Sequence, residues 1–167
     1  MSIKNQEELF VRLLSNVRQG AERTTKIFQE FAQLAEDPDI KEALEARVFI
    51  SDKIVASLDR CFKMIDAQPV KTSEQLHDVF VDDFRRELAE MQTPALKKLF
   101  VLTKASHLIH LRIAEYVARI AMADATGHAG VGVLLESCLA DKLAFVERTR
   151  RLIRNIVEIK VLERMAH

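Results

Sequence analysis

The chain has 167 residues, 49% of them hydrophobic and 30% charged, a composition that supports one globular domain with a sizeable core. Lys plus Arg and Asp plus Glu both number 25, so no net field draws nucleic acid or an anionic membrane surface. With 4 Gly, 3 Pro and no Trp, breakers and strand formers are few, which excludes a strand-rich fold and points to helices.

The first helix is expected from about Asn5 to Ala35. Phe10, Leu13, Leu14, Val17, Ala21, Phe28, Phe31 and Ala35 mark one face at three-to-four spacing. Asp37-Pro38 supplies an N-cap and a first helical proline for a second helix running to about Ala67. Its stripe is Ile40, Leu44, Val48, Ser51, Val55, Leu58 and Phe62, and Pro69 stops it. A short third helix, about Ser73 to Met91, faces inward with Leu76, Val79, Phe80, Phe84 and Leu88. Thr93-Pro94 repeats the cap-plus-proline signal and opens a fourth helix that ends near Ala125-Thr126-Gly127. This helix is apolar on nearly every side, as expected of one packed among others, yet carries His107, His110 and Arg112 at its middle. Buried polar groups need partners, so the interior chemistry is expected near those residues. The last helix runs from about Val131 to Arg164 with Leu135, Cys138, Leu139, Val146, Leu152, Ile153 and Ile156.

Four long helices with short loops, plus a short helix in the middle connection, read as one bundle domain spanning 1–167. Cys61 and Cys138 form no metal or redox motif and fit reduced core packing in a cytosolic protein. The polar N-terminus lacks a signal-peptide block, and no run is long and uncharged enough to span a membrane.

A two-metal bundle needs inward Glu from two helices and Glu-x-x-His from the other two. The chain has one such spacing, Glu74 to His77, on the short helix, where a solvated face is the expected reading. His107 and His110 share a helix face and are expected to be hydrogen-bonded core or interface histidines. Glu22 is the carboxylate nearest the middle of the first helix. Asp141 and Lys142 interrupt the last helix at mid-bundle depth, and Arg47 and Asp52 do so in the second. These charges are of both signs where a metal bundle would carry carboxylates. No Gly-rich phosphate loop or nucleophile–His arrangement is present, and the basic run from Arg148 to Arg154 reads as a solvated face.

The opening Met1-Ser2-Ile3-Lys4, followed by Glu7-Glu8-Leu9-Phe10 and Leu13-Leu14-Ser15, resembles the start of the YciE/YciF-type ferritin-like stress proteins of bacteria. Asp37-Pro38-Asp39-Ile40-Lys41-Glu42-Ala43-Leu44, then Ile113-Ala114-Glu115-Tyr116 and the spacing to His128, extend the similarity over most of the chain. The resemblance implies a dimer of ferritin-like bundles with a two-metal site. The metal positions it implies fall on Ala21, beside Glu22, in the first helix and on Arg47, Phe49 and Ile50 in the second. In the fourth and last helices they fall on Ile109, His110 and Arg112, and on Asp141 and Lys142.

The expectation is an all-α, ferritin-like up-down four-helix bundle with an additional short helix in the middle connection. It is expected as a cytoplasmic homodimer without cofactor or enzymatic activity: a stress-associated or structural protein that has lost the di-metal site. Arg112, Arg47 or Lys142 would then pair with Asp141 or Glu22 inside the bundle. One alternative is a divergent protein binding iron, manganese or zinc through Glu22, His107, His110 and Asp141. The other is a bundle with an apolar ligand cavity at the same depth.

Overall fold

The computed structural model describes residues 3–73 and 75–165, leaving aside the side chains of 159–165. Five helices follow one another: α1 (Gln6–Leu34), α2 (Pro38–Met64), α3 (Gln75–Ala89), α4 (Pro94–Ala125) and α5 (Ala129–Met165). There is no strand among the described residues. The helix starts follow from local capping. Asn5 Oδ1 accepts from Glu8 N at 2.8 Å, Asp37 Oδ1 from Asp39 N and Ile40 N at 3.1 and 3.3 Å, and Thr93 Oγ1 from Leu96 N at 3.3 Å. Pro38 and Pro94 occupy first-turn positions, where the missing N–H costs nothing. Between α4 and α5 the left-handed backbone is taken by Gly127, at φ 78°.

α1 packs on α2 and α4 on α5, while α1–α4 and α2–α5 contacts close the square. Lys98 Nζ donates to Asp37 Oδ2 at 2.9 Å, which places the start of α4 at the α1–α2 turn. His128 beside Glu7, at 3.2 Å, places the end of α4 at the start of α1. The 65–93 connection therefore travels the length of the bundle, and α2 and α4 run the same way. This is the single long crossover of a ferritin-like bundle. The connection is tied to α1 along its path. Ser15 Oγ accepts from Val70 N at 3.0 Å, and Gln19 Oε1 accepts from Thr72 N and Oγ1 at 3.2 and 2.8 Å.

α3 lies over the α1–α4 seam and buries Phe84 against Phe31, ring centroids 4.5 Å apart. Its inward face differs from the expected one: Leu76 and Val79 are 57% and 65% exposed, while His77 is buried. The helix is thus rotated so that His77, Phe84 and the half-buried Phe80 and Leu88 face the bundle.

The apolar core is in two parts. One contains Phe10, Leu14, Val17, Ile54, Leu58, Phe62 and Leu135; the other contains Phe28, Phe31, Leu44, Leu102, Leu108, Ile109 and Phe145. Between them, at the middle of the bundle, the three-to-four rows of the helices are polar. No helix among the described residues is long and apolar enough to cross a membrane.

Candidate functional site

The core rows run without a break through charged residues. On α2 the buried positions include Ile40, Leu44, Arg47, Ser51, Ile54 and Leu58; on α4 they include Ala105, Ile109, Arg112 and Tyr116. On α5 they include Val131, Leu135, Cys138, Lys142, Phe145 and Thr149, and on α1 they include Val17, Ala21, Thr24 and Phe28. The rows thus deliver Thr24, Arg47, Arg112 and Lys142 to the same depth. The three cations are each only 2% exposed. With Val17, Ala21, Ser51, Ile54 and Tyr116 they line an internal cavity of about 10 Å³, room for about one water.

The three cations are held differently. Arg112 Nη1 donates to Glu115 Oε2 at 2.6 Å, and its Nη2 donates to His77 Nδ1 at 2.9 Å. Arginine can only donate, so His77 Nδ1 is the acceptor. The guanidinium lies against α1 at Gly20, where a Cβ would stand 2.1 Å from Nη1. Arg47 has no ion pair among the described residues, and its Nε and Nη1 are buried without a hydrogen-bond partner there. Its Cζ lies 5.7 Å from the Phe28 ring centroid. Lys142 Nζ sits 3.9 Å from the Tyr116 ring centroid, and likewise has no ion pair among the described residues. Burial pushes the Lys142 pKa down to about 7, with Arg47 and then Arg112 adding repulsion and Cys138 and Asp141 opposing it. Burial also lowers the Arg47 pKa and raises that of Tyr116. The Tyr116 hydroxyl and Thr24 Oγ1 have no hydrogen-bond partner among the described residues.

Gly20 is the cheapest place to test this geometry. Gly20→Ala gains about 1 kcal/mol of helix propensity, but forces a held guanidinium to move, at about 1–3 kcal/mol. A net loss of about 1 kcal/mol is expected in the wild-type background, and a gain of similar size in Arg112→Ala, read by urea unfolding as a double-mutant cycle. Equal effects in both backgrounds would show that Arg112 does not rest on α1.

The remaining candidate residues lie elsewhere. His107 and His110 are exposed, not core histidines, and His110 Nδ1 lies 2.8 Å from Ser106 O. Their face of α4 points outward because Arg112, two residues on from His110, takes the core position. Glu22 is exposed and paired with Arg18 at 2.8 Å, and Asp141 is half-buried with no ion pair among the described residues. The expected internal pairing of a cation with Asp141 or Glu22 is therefore replaced by Arg112 with Glu115 and His77. His77, expected on a solvated face, is part of the layer; Glu74 lies outside the described residues. Asp52 is exposed. Cys61 and Cys138 are free and buried, and burial pushes the Cys61 thiol up to about 12.

The two-metal centre implied by the family resemblance does not fit these residues. Of its positions, Phe49 is 78% exposed, Ile109 is apolar, and Arg47, Arg112 and Lys142 bring positive charge where carboxylates would be needed. Among the described residues no three of His, Cys, Asp or Glu converge as a ligand set, and Glu22, His107, His110 and Asp141 are not brought together. The cavity that the described residues enclose at this depth is small and charged, and does not suit an apolar ligand.

The model of the family described as "Domain of unknown function (DUF892)" matches residues 5–162. No curated protein sequence matches the chain. Three solved structures share the fold. YciF, a stress protein of E. coli, is 17% identical with a TM-score of 0.87, covering 93% of this chain and 99% of its own. YcfI of Rhodopseudomonas palustris, described as a candidate structural protein, is 20% identical with a TM-score of 0.85, covering 89% and 95%. A protein of Xanthomonas campestris pv. campestris is 20% identical with a TM-score of 0.75, covering 98% and 100%.

Proposed function

The chain belongs to the DUF892 family, a domain of unknown function, and from that premise we propose that it is a stress-associated structural protein of the bacterial cytoplasm. It acts by association with copies of itself or with other proteins, and not by metal chemistry at the bundle centre. One observation carries the reading: buried Arg47, Arg112 and Lys142 stand at mid-bundle, and a divalent cation placed among them would meet like charge. The roles named for YciF and YcfI, stress protein and candidate structural protein, support the same direction. The test is elemental mass spectrometry of untagged protein expressed with added iron, manganese and zinc. Less than about a tenth of an equivalent of any metal is expected. A stoichiometric metal that survives gel filtration would overturn the reading.

The partner proposed is a second copy. On the outer side of α4 and α5, Val117, Val133 and Leu143 are 54%, 64% and 51% exposed, amid exposed Ala114, Ala118, Ala121, Ala140 and Ala144. Small apolar rows of this kind let helices approach closely and suit an isologous dimer face. Sedimentation equilibrium is expected to give a dimer, and the Val117→Lys, Leu143→Lys double variant a folded monomer. A wild-type monomer at micromolar concentration would rule this surface out.

A further inference from the structure

We propose that the mid-bundle cavity is a binding site for a small monovalent anion of halide size, held between Arg47 and Lys142 and capped by the hydroxyls of Tyr116 and Thr24. The inference rests on the reading that no metal occupies the bundle centre, and it names what takes that place.

The donors are present and have nothing else to do. Arg47 Nε and Nη1, the Tyr116 hydroxyl and Thr24 Oγ1 are buried polar atoms with no hydrogen-bond partner among the described residues, and these three side chains, with Lys142, line one cavity. Buried donors left unmade are costly, and two desolvated cations sharing a cavity repel. Water could satisfy some of the hydrogen bonds but leaves the repulsion between the charged side chains in place, whereas an anion relieves both. Arginine Nε–H and Nη–H, lysine ammonium and hydroxyls are all donors, so the lining matches an acceptor-only occupant. Ser51 completes the wall without competing, because its hydroxyl already donates to Arg47 O at 2.9 Å.

Size and access narrow the class. About 10 Å³ holds one water-sized body, so chloride or bromide fits with slight relaxation, while sulfate and phosphate do not. No acidic side chain among the described residues lines the cavity. Asp141 and Glu115 lie outside that lining, so no protein carboxylate among the described residues fills the role. Arg112 adds positive potential from one side while engaged with Glu115 and His77.

The experiment is thermal unfolding of the full chain against sodium chloride, with sodium gluconate holding ionic strength constant. Chloride is expected to raise the Tm saturably. The shift is expected to vanish in Arg47→Met and in Lys142→Met, which remove buried charge and should remain folded. Crystals grown in sodium bromide should show one anomalous peak between Arg47 and Lys142. A wild-type Tm indifferent to chloride, or a chloride shift unchanged in both Met variants, would overturn the proposal, as would bromide crystals lacking that peak. The metal content of the same preparation separates the two failures. Metal found at stoichiometry defeats the metal-free reading itself, whereas a metal-free protein without a chloride response defeats only the anion site.

Discussion

Lys142→Met is expected to raise the unfolding free energy by roughly 2–3 kcal/mol at pH 6 in halide-free buffer. The folded protein holds this amine at about 7 instead of 10.5, a gap that corresponds to about 5 kcal/mol of penalty on the charged form. Contact with the Tyr116 face at 3.9 Å returns up to about 2 kcal/mol. Methionine keeps most of the packing and carries no charge to desolvate. The pH dependence fixes the sign independently. A lysine depressed on folding binds fewer protons in the folded than in the unfolded chain between the two values. Its penalty is therefore complete below about pH 7 and shrinks as pH rises towards 10.5. Wild-type stability should climb between pH 7 and 9 while the Met variant stays flat, so the curves approach each other. Above pH 9 the buried Cys61 thiol, raised to about 12, lowers the stability of both and closes the useful window. Urea unfolding at pH 6, 7, 8 and 9 reads this directly. A variant no more stable than wild type at pH 6 would mean that Lys142 carries no uncompensated charge.

Arg112→Ala should move stability the other way, by a loss of about 3–5 kcal/mol. Arg112 is among the largest fully buried side chains, and unlike Lys142 it has both a carboxylate and an imidazole bonded to it. Removing it leaves a void at the centre of the bundle, deprives Glu115 of its cation and leaves buried His77 Nδ1 without its donor. Because His77 ties α3 to α4, and α3 otherwise touches the bundle lightly, hydrogen exchange in Gln75–Ala89 should accelerate more than in the four long helices. A loss under about 1 kcal/mol, with α3 protection unchanged, would place Arg112 outside the structural core. Opposite signs for two equally buried cations follow from their partners and not from their burial.

The helices were legible because their punctuation is local. Asn5, Asp37-Pro38, Thr93-Pro94 and Gly127 fix starts and stops through bonds within one turn, and the observed bounds lie close to those expected. The polar layer was only half legible, for a different reason. Reading stripes from apolar residues alone skips a core position occupied by a charge. On α2 the apolar residues Leu44 and Val48 were joined across Arg47, although the spacing Leu44, Arg47, Ser51, Ile54 is the regular core row. The same row on α5, Cys138, Lys142, Phe145, passes through Lys142 in step. On α4 the apolar character of both faces hid which side Arg112 takes, and with it the exposure of His107 and His110. The burial of His77 is not legible in the sequence because it depends on the rotation of α3 against the α1–α4 seam, a tertiary choice in which Phe84 packs on Phe31. Glycine at position 20 is the sequence signal for the close approach of Arg112, since a glycine inside a long helix costs stability unless something must approach closely.

Desolvated cations, and not carboxylates around a metal, meet at the middle of this bundle. The most direct measurement is the titration of Lys142 by NMR, using lysine labelled at Cε and Nζ, with Lys142→Met to assign the signal, in halide-free buffer. A midpoint near 7 is expected, because burial, with Arg47 and Arg112 adding repulsion, lowers the ammonium. A midpoint at or above 10 would mean that solvent or a carboxylate reaches the amine, and the cationic layer would not exist as described.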